Sequence, residues 1–285
     1  MYHRLNQEAP LVRLYGVFRN QIHLLEGTAL IVSGTIGAGV LGIPYVVVKV
    51  GIGIGLLYIV SLGLLMMGVN LLVGEIATAA KEPLQIVGLA KKYLGPTGGA
   101  IMLVFSYALL LGALMIFIIG EGDTLSALFG GPSFWWSTGF FMVAGLLVAI
   151  GIRTIKTVEL FLSLGVLSVV FLIALFSAPH LTLTHWQYSD WTKIFLPYGV
   201  LLFAFHATTA VPEAHAILKN REATFKKAIL TAGTICIIVY ALFAVVVVGV
   251  TGPATTEIAT IGLGQVLGRP AFILGNLFAI LAMGT

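Results

Sequence analysis

The sequence predicts an all-α polytopic membrane protein, and three observations predict it. Of its 285 residues, 59% are hydrophobic and only 9% charged. With a mean hydropathy of +1.07, that is a surface no soluble domain of this size could solvate. Apolar runs of about 18 residues or more, each enough to span a bilayer, recur along the chain. Two of those runs are interrupted, in matching positions, by residues that break helices.

Taken in order, residues 1–22 are polar and basic and read as a cytoplasmic N-terminal segment without a signal-peptide pattern. Eight apolar runs follow, at 23–48, 52–76, 99–120, 134–151, 157–178, 194–218, 227–250 and 271–285. The last is cut at Gly284-Thr285 with no polar flank, so the chain is expected to end inside its eighth helix as a piece of a longer protein. Between runs two and three, Ile86 to Tyr93 reads as a short amphipathic helix stopped by Gly95-Pro96. Trp135, Trp136, Trp186, Tyr188 and Trp191 read as an interfacial aromatic belt.

The net charge of +4 does not point to nucleic acid, because the charges are placed by topology. With the N-terminus inside, 12 of the 15 basic residues are cytoplasmic: Arg4, Arg13, Arg19, Lys81, Lys91, Lys92, Arg153, Lys156, Lys219, Arg221, Lys226 and Lys227. Only Lys49, Lys193 and Arg269 fall outside. That bias is the positive-inside rule for a protein of the inner, cytoplasmic membrane. Cys236 is the one cysteine, which leaves no disulfide framework and reads as a small buried apolar residue.

The first interruption is Gly34-Thr-Ile-Gly37-Ala-Gly39-Val-Leu-Gly42-Ile-Pro44-Tyr45. Each glycine weakens a helix by about 1 kcal/mol relative to alanine, and the proline by about 3. A break at membrane depth frees N–H and C=O groups, which is tolerated only where protein or a watery cavity satisfies them. Gly37-x-Gly39-x-x-Gly42 also matches the dinucleotide fingerprint, but its flanks are membrane-length apolar runs and Leu57 to Leu62 holds no carboxylate. The nucleotide reading is set aside. The second interruption runs from Phe203 through His206, Thr208, Thr209 and Pro212 to Glu213. Both begin about twelve residues into their spans, and those spans enter from opposite sides. Matched broken helices in two inverted halves point to the midplane site of a secondary transporter.

Gly34 to Tyr45 resembles the first-helix signature of the amino acid–polyamine–organocation superfamily, in its amino acid/auxin and aromatic amino acid permease branches. Gly74-Glu-Ile-Ala-Thr-Ala79, Phe203 to Glu213 and Glu257 to Leu263 are similar to that superfamily's second-helix ending, broken sixth helix and loop before helix eight. The resemblance implies a five-plus-five inverted repeat. Residues 23–178 would then be the first five-helix repeat and 179–285 an incomplete second one.

A transported amino acid brings a carboxylate and an ammonium, each costly to bury alone. Half-helix N-termini suit the carboxylate, and freed carbonyls suit an ammonium or cation. Thr35, Ile36, Gly37, Ala38 and Gly39 are therefore expected at the carboxylate through their backbone. Phe203, Phe205 and His206 are expected at the ammonium and side chain, with Tyr107 of span three in reach. The rival reading is that the glycines serve close helix packing. His206 either carries a coupling proton or bonds a freed carbonyl.

Of the acidic residues near inner helix ends (Glu26, Glu75, Glu159, Glu213), Glu213 follows the break and is the candidate for ion coupling or gating. The resemblance further implies that in sodium-coupled relatives carbonyls of helix one and a hydroxyl of helix eight hold the ion. Gly34, Gly37 and Thr285 stand at those positions. No cofactor is expected beyond a coupling sodium ion or proton.

The expected function is a secondary active transporter, not an enzyme, that carries an amino acid, aromatic or bulky apolar, across the bilayer by alternating access. A passive channel is the alternative, though no repeated polar or carbonyl filter is present. An embedded enzyme would need His-x-x-x-His or Glu-x-x-His spacing, which no span contains.

Overall fold

The computed structural model describes the backbone of residues 10–150, 152–218 and 221–284, and the side chains of 21–149, 164–218 and 221–283. Among these the structure is helical, with no strand. It comprises α1 (Pro10–Thr35), α2 (Gly39–Val50), α3 (Ile52–Ala79), α4 (Ile86–Phe129), α5 (Ser133–Ile150), α6 (Ile152–Ser177), α7 (Leu196–Ala204), α8 (Ala210–Ile217), α9 (Glu222–Thr251), α10 (Ala259–Leu267) and α11 (Arg269–Gly284). By length and apolarity α3, α4 and α9 can each cross a membrane. The bent pair α1–α2, which turns by 59° at its break, passes the same test when taken as one span, and the described parts of α5, α6 and α11 are apolar as well. This is the frame of a polytopic membrane protein.

Local chemistry accounts for the joints. α4 bends at Gly95, whose φ of 76° is a left-handed value, and Pro96 then starts a new run. The short helix expected before Gly95-Pro96 is thus present as the first arm of α4. Its Leu89 packs with Ala77 and Ala80, and Lys92 donates to the Ala80 carbonyl at 2.7 Å. The second arm outruns its apolar stretch and stays helical to Phe129, nine residues beyond the expected end at Gly120.

α9 lies at the centre, packed on α1, α2, α3 and α6, with Tyr240 and Phe243 fully buried. The Phe243 ring meets Phe278 of α11 at 5.1 Å. Between helices in lipid, such contacts stabilise by close packing rather than by expelling water.

The segment between α6 and α7 is stitched to two helix ends. Thr182 N–H donates to Gly249 O at 2.9 Å and Asp190 N–H to Val50 O at 2.9 Å. Gly51, at φ 95°, lets the chain turn directly against the Tyr188 carbonyl. Trp186 is not part of a surface belt. It is half-buried, it rests on Gly249, and its indole N–H points to the Val245 carbonyl at 3.3 Å. Trp135, Trp191 and Tyr188 are exposed, as a belt requires. Asp190 accepts bonds from the Thr192 hydroxyl and the Lys193 ammonium, which hold its carboxylate below the usual range.

At the other end, α3, α8 and α9 meet. Two gaps of about 270 and 280 Å³ share Thr78 and Glu222 in their walls.

Candidate functional site

The two breaks sit side by side and run in opposite directions. Gly34, ending the first half-helix of span one, abuts Ala210, which begins α8; Gly39, beginning α2, abuts Ala204, which ends α7. A Cβ on Gly39 would lie 2.8 Å from the Ala204 Cα, so only glycine permits this approach. Gly42 continues the line against Val200.

Backbone groups come free where the helices stop. Val40 and Leu41 donate to Gly37 and Ala38, so the Ala38 and Gly39 N–H groups head α2 without a backbone acceptor. The Gly34 carbonyl likewise lacks the donor that a continuous helix would supply, because the chain turns away at Ile36 and Gly37. Thr35 closes on itself, its hydroxyl donating to Ile31 O at 2.6 Å. In the second break, Ala204 and Phe205 end α7 and the chain re-enters helix at Ala210.

Tyr240 of α9 holds the two breaks together. Its fully buried hydroxyl lies 3.0 Å from the Thr35 carbonyl and 2.8 Å from the Ala204 carbonyl, the last helical residues of α1 and α7. The Phe205 ring packs on the Tyr240 ring at 4.8 Å.

Beside the breaks lies a cavity of about 170 Å³. Ser33, Gly34, Thr35, Gly37, Ala38 and Gly39 line one wall, and Phe203, Ala204, His206 and Thr209 a second. α4 closes it with Leu109, Leu110, Ala113 and Phe117. The Phe117 ring stands over Gly37, where a Cβ would come within 3.1 Å of its Cζ. His206 Nε2 is buried without a hydrogen-bond partner. The site therefore offers unpaired N–H groups, a free carbonyl, an imidazole and two phenyl rings within one cleft.

Of the residues singled out by sequence, Gly34, Thr35, Gly37, Ala38, Gly39, Phe203 and His206 share this cavity. Ile36 and Phe205 turn into the core, Tyr107 lies on the exposed side of α4 at 61% exposure, and Glu213 is exposed beyond the break. Thr285 lies outside the described residues. The wall from α4, with Phe117, and the Tyr240 clamp were not read from the sequence. In sequence they are ordinary aromatics in apolar helices, and only the packing of α4 and α9 against the breaks marks them.

The family described as "Transmembrane amino acid transporter protein" matches residues 20–283, a stretch that contains both breaks and all three walls. The chain belongs to this family. That agrees with the resemblance to the amino acid–polyamine–organocation superfamily seen in the first-helix signature. Two curated family relatives come from Haemophilus influenzae. Tyrosine-specific transport system 1 is 25% identical over 76% of this chain, and tyrosine-specific transport system 2 is 29% identical over 79%. The matched regions cover 56% and 58% of those proteins, so the chain spans little more than half the length of the relatives it matches.

Proposed function

We propose that the protein is a secondary active transporter. It carries tyrosine or a closely similar aromatic amino acid by alternating access, driven by a proton or sodium gradient, with its N-terminus in the cytoplasm. The observation that carries this reading is the pair of antiparallel broken helices whose free backbone groups and aromatic rings open into one cavity. The substrate carboxylate is received by the Ala38 and Gly39 N–H groups at the positive end of α2. The ammonium faces the Gly34 carbonyl, and the phenol ring lies between Phe117 and Phe203. The names of the two relatives support tyrosine in particular.

The test is uptake of labelled tyrosine, tryptophan, leucine and alanine by proteoliposomes holding the full-length protein, under imposed proton or sodium gradients. Accumulation of an aromatic amino acid above its outside concentration, driven by one gradient, is the expected result. Flux that only equilibrates would replace the transporter with a passive facilitator. Failure with every amino acid, in folded protein, would remove the amino acid assignment.

A further inference from the structure

Outside the cavity, α4 carries a buried carboxylate that the transport reading leaves without a role. Leu110, Ala113 and Phe117 present one face of α4 to the cavity. The next positions on that face are Glu121 and Thr124, one and two turns further along. Four residues advance a helix by about 6 Å, so Glu121 stands one turn from the ring that covers Gly37. It is only 3% exposed, and Thr124 is wholly buried. The Thr124 hydroxyl is already spent on the Gly120 carbonyl at 2.8 Å. Glu121 Oε2 has no hydrogen-bond partner.

Among the described residues, the neighbouring elements supply no compensating charge. Gly120 abuts the Met283 sulfur of α11, and Gly122 abuts Ser137 of α5. α5 and α10 contain no charged residue, and the only one in α11 is Arg269, at the opposite end from Met283. On α4 itself Asp123 is exposed and two positions away, which is not the same face. Lys91 and Lys92 lie beyond the bend at Gly95. Lys49 is at the far end of α2, and His23 and Glu26 pair with each other at 3.1 Å in the middle of α1. Across the cavity stands the imidazole of His206. The described side chains of α6, from 164 to 177, include no charged group.

We propose that Glu121 is the site of the coupling proton, an inference that rests on the transport reading above. A buried carboxyl with no cation beside it is tolerated neutral and not ionised. α4 can therefore close against α5 and α11 only when Glu121 has taken a proton from water on the side where it is exposed. The proton leaves as a hydronium ion when the cavity opens to the other side and water reaches the carboxyl. No covalent bond is made or broken. Loading of one group one turn from Phe117 thereby ties closure over the substrate to the proton gradient.

The experiment compares wild type, Glu121→Gln and Glu121→Asp, each full-length in proteoliposomes, with labelled tyrosine. Two modes are read: accumulation driven by an acidic outside, and tyrosine–tyrosine exchange with no gradient. Glu121→Gln, which copies the neutral acid, is expected to exchange tyrosine as wild type does while accumulating roughly 5- to 150-fold less. Glu121→Asp is expected to recover part of the accumulation. A substrate-linked infrared band of a protonated carboxyl should be present in wild type and absent from Glu121→Gln.

Normal proton-driven accumulation by Glu121→Gln would overturn the proposal. So would loss of exchange and accumulation together in both variants, which marks a structural role. Accumulation driven by sodium and indifferent to pH would overturn the proton site but leave the transporter standing. Wild type that exchanges no amino acid would overturn both.

Discussion

Removing the hydroxyl in Tyr240→Phe tests whether the two breaks act as one unit. The ring stays, so its contact with Phe205 at 4.8 Å is kept and the core volume hardly changes. What disappears is one O–H shared between two buried carbonyls. Thr35 O keeps a second donor, the Gly37 N–H at 3.2 Å, whereas no second backbone donor replaces the hydroxyl at Ala204 O. The loss is therefore close to that of a single orphaned buried acceptor, about 1–3 kcal/mol. If that free energy holds the half-helices in the substrate-binding arrangement, tyrosine affinity falls by roughly 5- to 150-fold. Equilibrium binding of labelled tyrosine to purified protein measures it, with the thermal unfolding midpoint recorded in parallel. Unchanged affinity and an unchanged midpoint would refute the clamp; a lower midpoint with full affinity would reduce it to a structural bond remote from binding.

Two further expectations follow from the same geometry. Gly37→Leu places its first carbon 3.1 Å from the Phe117 ring and the rest in the cavity, so it should abolish tyrosine binding while membrane insertion stays normal; wild-type affinity in this variant would remove the first break from the site. Asp190 has a folded-state pKa below its unfolded value of about 3.9, so its clasp is fully formed above that pH and is lost only as pH falls through the lower folded value. Fluorescence of Trp186 and Trp191 should accordingly be flat from neutrality down to about pH 5, and a transition near neutral pH would contradict the clasp.

The breaks themselves were legible because glycine, proline and polar residues are poor material for a lipid-facing helix, and Gly34 to Pro44 and His206 to Pro212 concentrate them. Their meeting was legible only as an inference from matching positions. What stayed hidden depends on rotation and on distance along the chain. Ile36 and Phe205 are one residue from cavity positions, yet that one step turns them into the core. Tyr107 is three residues from Leu110 and faces away. Tyr240 lies 205 residues from Thr35, and no local pattern announces such a bond. Glu121 follows the last residue of an apolar run and reads as the start of a loop; the helix continues because α5 and α11 cover it. Among the described residues, length and apolarity alone identify α3, α4 and α9, and α1–α2 as one bent span, which is fewer than the eight expected.

For the transport cycle proposed above, the stitching of one end of the bundle implies a direction of least resistance. Exposing the cavity past the Thr182–Gly249 and Asp190–Val50 contacts requires backbone bonds to part and the chain at Gly51 to lift from Tyr188. On the side of α3, α8 and α9, gaps are already present at Thr78 and Glu222. In the cycle proposed above, the stitched end is expected to open the more slowly, and a small molecule wedged at Thr78 and Glu222 is expected to slow tyrosine uptake.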